Sequence, residues 1–184
     1  MFDTIFGLPV HPLIVHATVV VVPSAAFAVA LAALWPRFRR WAGFFPLLLS
    51  AASVVLVPVT TQSGEALENH LPRTALLEKH TELADGLFLP VLVLAVAAAA
   101  LCWVYLKENG FGERPALSSG PVGRAIGRPG RPGLPLMSGI VVVALLSVVA
   151  TTVQVARIGH SGAKAAWSGV ATSTSQGGSA RPKP

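Results

Sequence analysis

The residues of this chain best suited to chemistry are its five histidines, His11, His16, His70, His80 and His160. His11 and His16 stand in GLPVHPLIVHATVVVV, at the mouth of a run otherwise made for hydrocarbon. Imidazole is the commonest protein metal ligand and an axial ligand of haem iron, and bundles hold such groups between facing helices. Five residues turn a helix by about 500°, so His11 and His16 point about 140° apart and suit one shared ion poorly. They divide the work. One faces a site, while the other caps a helix, meets headgroups or hydrogen-bonds a ligand residue. A polar ring inside an apolar run is expensive and marks function, which singles out His16. The alternative for each histidine is a plain interfacial polar role.

The elements that must position these rings read as membrane helices. Of 184 residues, 53% are hydrophobic and 12% are charged, whereas ordinary soluble domains carry roughly 25% charge. Apolar stretches predict four transmembrane helices in one bundle, at about residues 9–35, 42–59, 84–106 and 134–156. Each approaches the roughly 20 residues that cross a bilayer. They form one domain over residues 1–169, with a flexible basic connection at 107–133 and a disordered tail at 170–184. A cleaved signal peptide begins with a basic region, but Asp3 is the only charge before the first stretch, so that helix is expected to stay.

Local signals refine the helices. Pro12 suits the first turn of helix one, and Ser24, Ala28 and Ala32 form a small-residue stripe for close helix approach. Kinks are expected at Pro23, Pro46, Pro58 and Pro90. Thr61 or Ser63 before Glu65 reads as a cap, and Gly159 as a break before His160. Gln154, Thr151 and Thr152 are expected to hydrogen-bond between helices. TALLEKHTELADGLF has amphipathic spacing and runs straight into the third span. Leu76, Leu77, His80, Leu83, Ala84 and Leu87 share its apolar stripe, with Glu78, Glu82 and Asp85 opposite.

Charge placement sets an orientation. Arg37, Arg39 and Arg40 follow helix one, and Lys107, Arg114, Arg124, Arg128 and Arg131 follow helix three, whereas Arg73 and Lys79 are the only cations between Thr60 and Asp85. By the positive-inside rule both termini lie outside a bacterial plasma membrane. Trp35, Trp41, Trp103 and Tyr105 then form a belt at the cytoplasmic border, and all five histidines fall on the outer side. The net charge of +6 is topological and implies no nucleic acid. Lone Cys102 forms no internal disulfide. Ser161 beside His160 lacks a positioned carboxylate, which argues against a hydrolase triad. Carboxylates are absent from the spans, which argues against a proton-driven transporter.

GLPVHPLIVHATVV at the head of four hydrophobic helices, TTQSGEALENH after the second, His80 opening the third and RIGHSGAKAAWSG after the fourth together resemble the bacterial membrane family called domain of unknown function 2231. The likeness covers about residues 7–169, and its most specific part is His11-Pro12 followed by His16. It also implies a histidine at the start of helix three, carried onto His80, and a glycine-rich segment matched by Gly159 and Gly162. Relatives often read Gly-Gly, an apolar residue and tyrosine there, where this chain has Ala163 and Trp167. Relatives joined to Rieske-type iron–sulfur domains imply a link to electron transfer.

Three readings follow. The first is haem b bound between helices one and three, with His16 and His80 as axial ligands and His11 and His160 as supporting or alternative ligands. Ala17, Ser24, Ala84 and Gly86 would leave its slot. The second is an accessory subunit, not itself an enzyme, that packs in a larger respiratory or transport complex or meets a redox partner. The third is zinc or copper held by His11, His16, His70, His80 and His160, with Glu65 and Glu68 adding ligands.

Overall fold

The structure is a computed structural model that describes residues 4–5, 8–68, 74–109 and 133–176, with side chains described for 13–66, 74–109, 133–164 and Trp167. A two-residue antiparallel pairing of β1 (Thr4–Ile5) with β2 (Leu8–Pro9) precedes the helices. Then come α1 (Val10–Leu34), α2 (Pro36–Ala42), α3 (Phe45–Glu68), α4 (Ala75–Asp85), α5 (Phe88–Glu108) and α6 (Leu134–Gln176). Four stretches are long and apolar enough to cross a membrane: Leu13–Leu34, Phe45–Ala66, the α4–α5 unit Ala75–Glu108, and Leu134–Lys164. The expected four-helix membrane architecture is therefore present.

The four long helices form a ring in which α1 and α5 each pack against both α3 and α6. The centre is rich in alanine: Ala25, Ala26, Ala32 and Ala33 of α1 meet Leu94, Ala97, Ala98 and Leu101 of α5 and Ala144 of α6. Small side chains let backbones approach where lipid gives helices no hydrophobic reason to associate. The stripe is not the expected one. Ala28 and Ala32 are buried, but Ser24 faces outward and donates to Val20 O at 2.7 Å. Large apolar side chains such as Phe27, Leu48, Val96 and Leu146 cover the outside, an inversion of soluble proteins that only lipid tolerates.

Several helix ends differ from expectation, for local reasons. α1 begins at Val10, which keeps Pro12 in its first turn as expected. α3 begins at Phe45 and runs past the expected end at 59 to Glu68. Its polar residues continue the helix because Thr60 Oγ1 donates to Leu56 O, Thr61 Oγ1 to Pro58 O and Ser63 Oγ to Thr60 O. Thr61 and Ser63 are thus helix interior, not caps. Pro46 and Pro90 sit in the first turns of α3 and α5, where a missing N–H breaks no helical bond. α6 passes through Gly159 without a break and through position 170 to Gln176, about 65 Å at 1.5 Å per residue. That is about twice the hydrocarbon thickness, and α4 packs chiefly on this helix. His70 and the connection 110–132 lie outside the described residues.

α4 starts on a Thr74 cap whose side chain accepts from Leu77 N. It does not pass straight into α5. A turn at Gly86 and Leu87 intervenes, both with right-handed helical backbone, and Leu87 N bonds Ala84 O. Gln154 of α6 docks on this turn, donating Nε2–H to Leu83 O at 2.6 Å. A Cβ at Gly86 would stand 2.9 Å from Gln154 Nε2, so any larger residue there would make the Gln154 amide shift. Gln154 thus bonds between elements as expected, whereas Thr152 donates to Val148 O of its own helix. Thr151 Oγ1 is buried with no hydrogen-bond partner among the described residues.

At the opposite end, the α1–α2 turn and the end of α5 are tied by a buried ion pair. Arg39, 3% exposed, places Nη2 2.8 Å from Glu108 Oε1 and Nε 3.4 Å from Oε2. Its Nη1 donates to Ala32 O at 2.9 Å. That carbonyl belongs to the last turn of α1, where the helix supplies no partner and cations are favoured. Arg39, expected only as a topological charge, is therefore structural. Trp35, Trp41 and Trp103 stand exposed at this same end. Tyr105 lies against Gly43, whose φ of +56° few other residues adopt without strain.

Candidate functional site

At the α4 end of the ring, α1, α3, α4 and α6 line a partly open cavity of about 590 Å³. Its depth is apolar: Val22, Val57 and Leu87 form a buried cluster with Val91. The amphipathic spacing of α4 sets the roof. Leu77, His80 and Ala84 line the cavity, while Glu78 and Glu82 are exposed outside it. His80 is half-buried, as the inward stripe requires.

The His80 ring is held from α6. Ser161 Oγ lies 2.9 Å from both Ile158 O and His80 Nδ1 and has one proton for the two contacts. With that proton on Ile158 O, as a serine in a helix commonly places it, Oγ accepts from Nδ1–H, and in this tautomer of the neutral ring Nε2 is a bare acceptor. Among the described residues none hydrogen-bonds Nε2. Gly162 makes room for the ring, because a Cβ there would lie 3.1 Å from His80 Cε1. A Ser161–His80 nucleophile pair would need the opposite polarity, with the hydroxyl proton pointing at the imidazole.

A second polar feature sits on the wall made by α1 and α3, where Thr18 Oγ1 and Thr60 Oγ1 are 2.6 Å apart. Each also lies within reach of its own helix: Thr18 Oγ1 is 3.0 Å from Ile14 O and Thr60 Oγ1 is 2.7 Å from Leu56 O. Glu65 and Asp85 are exposed at the rim.

The other histidines are not brought to this cavity. His16 is exposed and lies off the stripe Val15, Thr18, Val19 and Val22 that faces it. His160 is exposed, whereas its neighbours Gly159 and Gly162 line the cavity. Position 11 is helical and stands one turn before Val15, but its side chain is not among those described. His16 and His80 are thus not brought to one cavity. Of the small residues expected to form a haem slot, Ala84 lines the cavity, Ala17 and Ser24 face outward, and Gly86 meets Gln154. Among the described residues no group of three or more His, Cys, Asp or Glu could hold a metal ion. Ser161, Gly162, Thr18 and Thr60 were not foreseen as site residues, since their roles arise only when four helices meet.

The length, hydropathy and ring of four spans agree with comparison to known families: the model described as predicted membrane protein (DUF2231) matches residues 7–175. This chain belongs to the DUF2231 family. The match includes every element that lines the cavity of this DUF2231 protein. No curated protein and no solved structure matches the chain.

Proposed function

We propose that this DUF2231 protein is a membrane-embedded binding protein whose cavity takes one small, largely apolar ligand, with His80 as its polar anchor. The observation that carries this reading is the tethered imidazole. Ser161 and Gly162 fix the ring, and Nε2 is left as an acceptor beside an apolar chamber. Ligand pockets have this character, mostly apolar walls with a few placed polar groups. The cation distribution supports an orientation with both termini and the cavity on the outer side of a bacterial plasma membrane.

A second reading is that His80 Nε2 ligates a metal or haem iron. It is favoured by the Nδ1 bond to Ser161, because metal-bound histidines characteristically donate their other ring N–H to a neighbour. Electron transfer, in a complex with a redox partner, belongs to this second reading. The test is to purify the full chain in mild detergent after expression with haem supply, record its visible spectrum, measure its metals, and identify extracted small molecules by mass spectrometry. An organic molecule present with wild type and lost from His80→Ala is expected. A Soret band or stoichiometric metal that depends on His80 would replace the first reading by the second. Neither, with co-purifying subunits instead, would favour an accessory role and overturn both.

A further inference from the structure

The walls narrow the ligand class, on the footing that the cavity is a binding site. In the tautomer with Nδ1–H, His80 Nε2 offers a lone pair and no proton. The threonine pair is similarly short of protons: two hydroxyl hydrogens serve three contacts, to Ile14 O, to Leu56 O and to each other. Both polar features therefore answer a ligand that brings a donor. Charge limits the ligand as well. Glu65 and Asp85 stand at the rim, and among the described residues no Lys or Arg lines the cavity, so a carboxylate or phosphate headgroup would meet repulsion at these walls without a cation to offset it. The side open to lipid is also defined. Val19 on the lining is 57% exposed, and Gly159 across from it on α6 has nothing within 4 Å of where a Cβ would stand.

We infer that the occupant is an uncharged amphiphile with a hydroxyl headgroup, an alcohol or phenol, whose O–H donates to His80 Nε2 and whose apolar body lies along Val15, Val19 and Val22. It reaches the cavity sideways from the bilayer, past Val19 and Gly159.

The test uses the full-length chain in detergent and three probes of equal chain length: a 4-alkylphenol, its methyl ether and a fatty acid. Binding is followed by equilibrium dialysis at neutral pH. The phenol is expected to bind, the ether about tenfold more weakly for loss of one hydrogen bond, and the fatty acid not measurably. His80→Phe keeps a ring over Gly162 and leaves Ser161 bonded to Ile158, so it should reduce the phenol to the affinity of the ether and leave the ether unchanged. Gly159→Leu sets a bulky side chain in the open space at the lateral mouth, improves helix propensity and blocks the entry, so it should abolish binding of every probe while thermal stability is retained. If phenol and ether bind equally and Gly159→Leu abolishes both, the cavity is a site but the hydroxyl inference is overturned. A fatty acid that binds best overturns it too. If no probe binds, or Gly159→Leu leaves binding unchanged, the binding-site reading itself falls and takes the inference with it.

Discussion

At the scale of single residues, one imidazole depends on one missing methyl group. His80 Cε1 would be 3.1 Å from a Cβ at position 162, closer than carbon atoms ordinarily pack, while Nδ1 is fixed by Ser161 on the same helix. The ring must therefore move by a few tenths of an ångström in Gly162→Ala, and it pivots about its bond to Ser161. Nε2 then swings out of place. Alanine at a helix interior position is favoured over glycine by roughly 0.5–1 kcal/mol, which offsets the strain. Gly162→Ala is expected to keep its unfolding temperature within a few degrees of wild type and to lose several-fold in His80-dependent binding. Thermal unfolding and dialysis on one preparation check both. A large loss of stability with unchanged binding would mean that Gly162 serves helix packing and not the ring.

At the scale of elements, the same chain solves opposite problems at its two ends. Where α4 and α6 meet, Gln154 pairs with a turn carbonyl and the contact is local in character. Where α1, α2 and α5 meet, Arg39 and Glu108 bring charges into a nearly closed site. Removing one partner strands the other, at a cost of about 3–5 kcal/mol, whereas replacing both by apolar residues is often neutral. Arg39→Ala should therefore be strongly destabilising in detergent, and Arg39→Met with Glu108→Leu should recover most of the loss, short of the Ala32 carbonyl that Nη1 now satisfies. A double variant that loses as much as the two single losses added together would show that the residues act independently and not as a pair. Such cross-chain ties were invisible in sequence because Arg39 and Glu108 are 69 residues apart. What was legible followed a helical period or a length: the four spans, the aromatic residues gathered at one end, and His80 on the inward stripe of α4. Helix ends were misread where a polar residue has two uses. Thr61 and Ser63 cap helices in one setting, and in α3 they bond back to their own carbonyls and continue it. Gly159 ends an isolated helix, yet within a long packed helix it leaves a gap beside the cavity.

At the scale of the whole molecule, the ion pair changes the charge argument for orientation. Arg39 is neutralised by Glu108, so of the eight cations that follow α1 and α5 in sequence, seven remain in the charge count: Arg37, Arg40, Lys107, Arg114, Arg124, Arg128 and Arg131. The α3–α5 connection has Arg73 and Lys79, and α6 adds exposed Arg157 and Lys164 beyond its apolar part. Counted as totals the two sides draw closer, but position weighs more than number. The first span usually dominates insertion, and exposed Arg37 and Arg40 follow α1 at once, with Asp3 on its other flank. The α1–α3 side is therefore expected in the cytoplasm, which sets α4, the far end of α6 and the cavity outside. In a variant with Cys102 replaced by alanine, a single cysteine at Ser118 should be shielded from a membrane-impermeant thiol reagent in intact cells and become reactive on permeabilisation. One at Asn69 should label at once. The reverse pattern would place the cavity against the cytoplasm while leaving its residues and chemistry unchanged. Labelling of both positions in sealed cells would instead refute a single orientation, and with it the idea that Arg37 and Arg40 suffice to anchor α1.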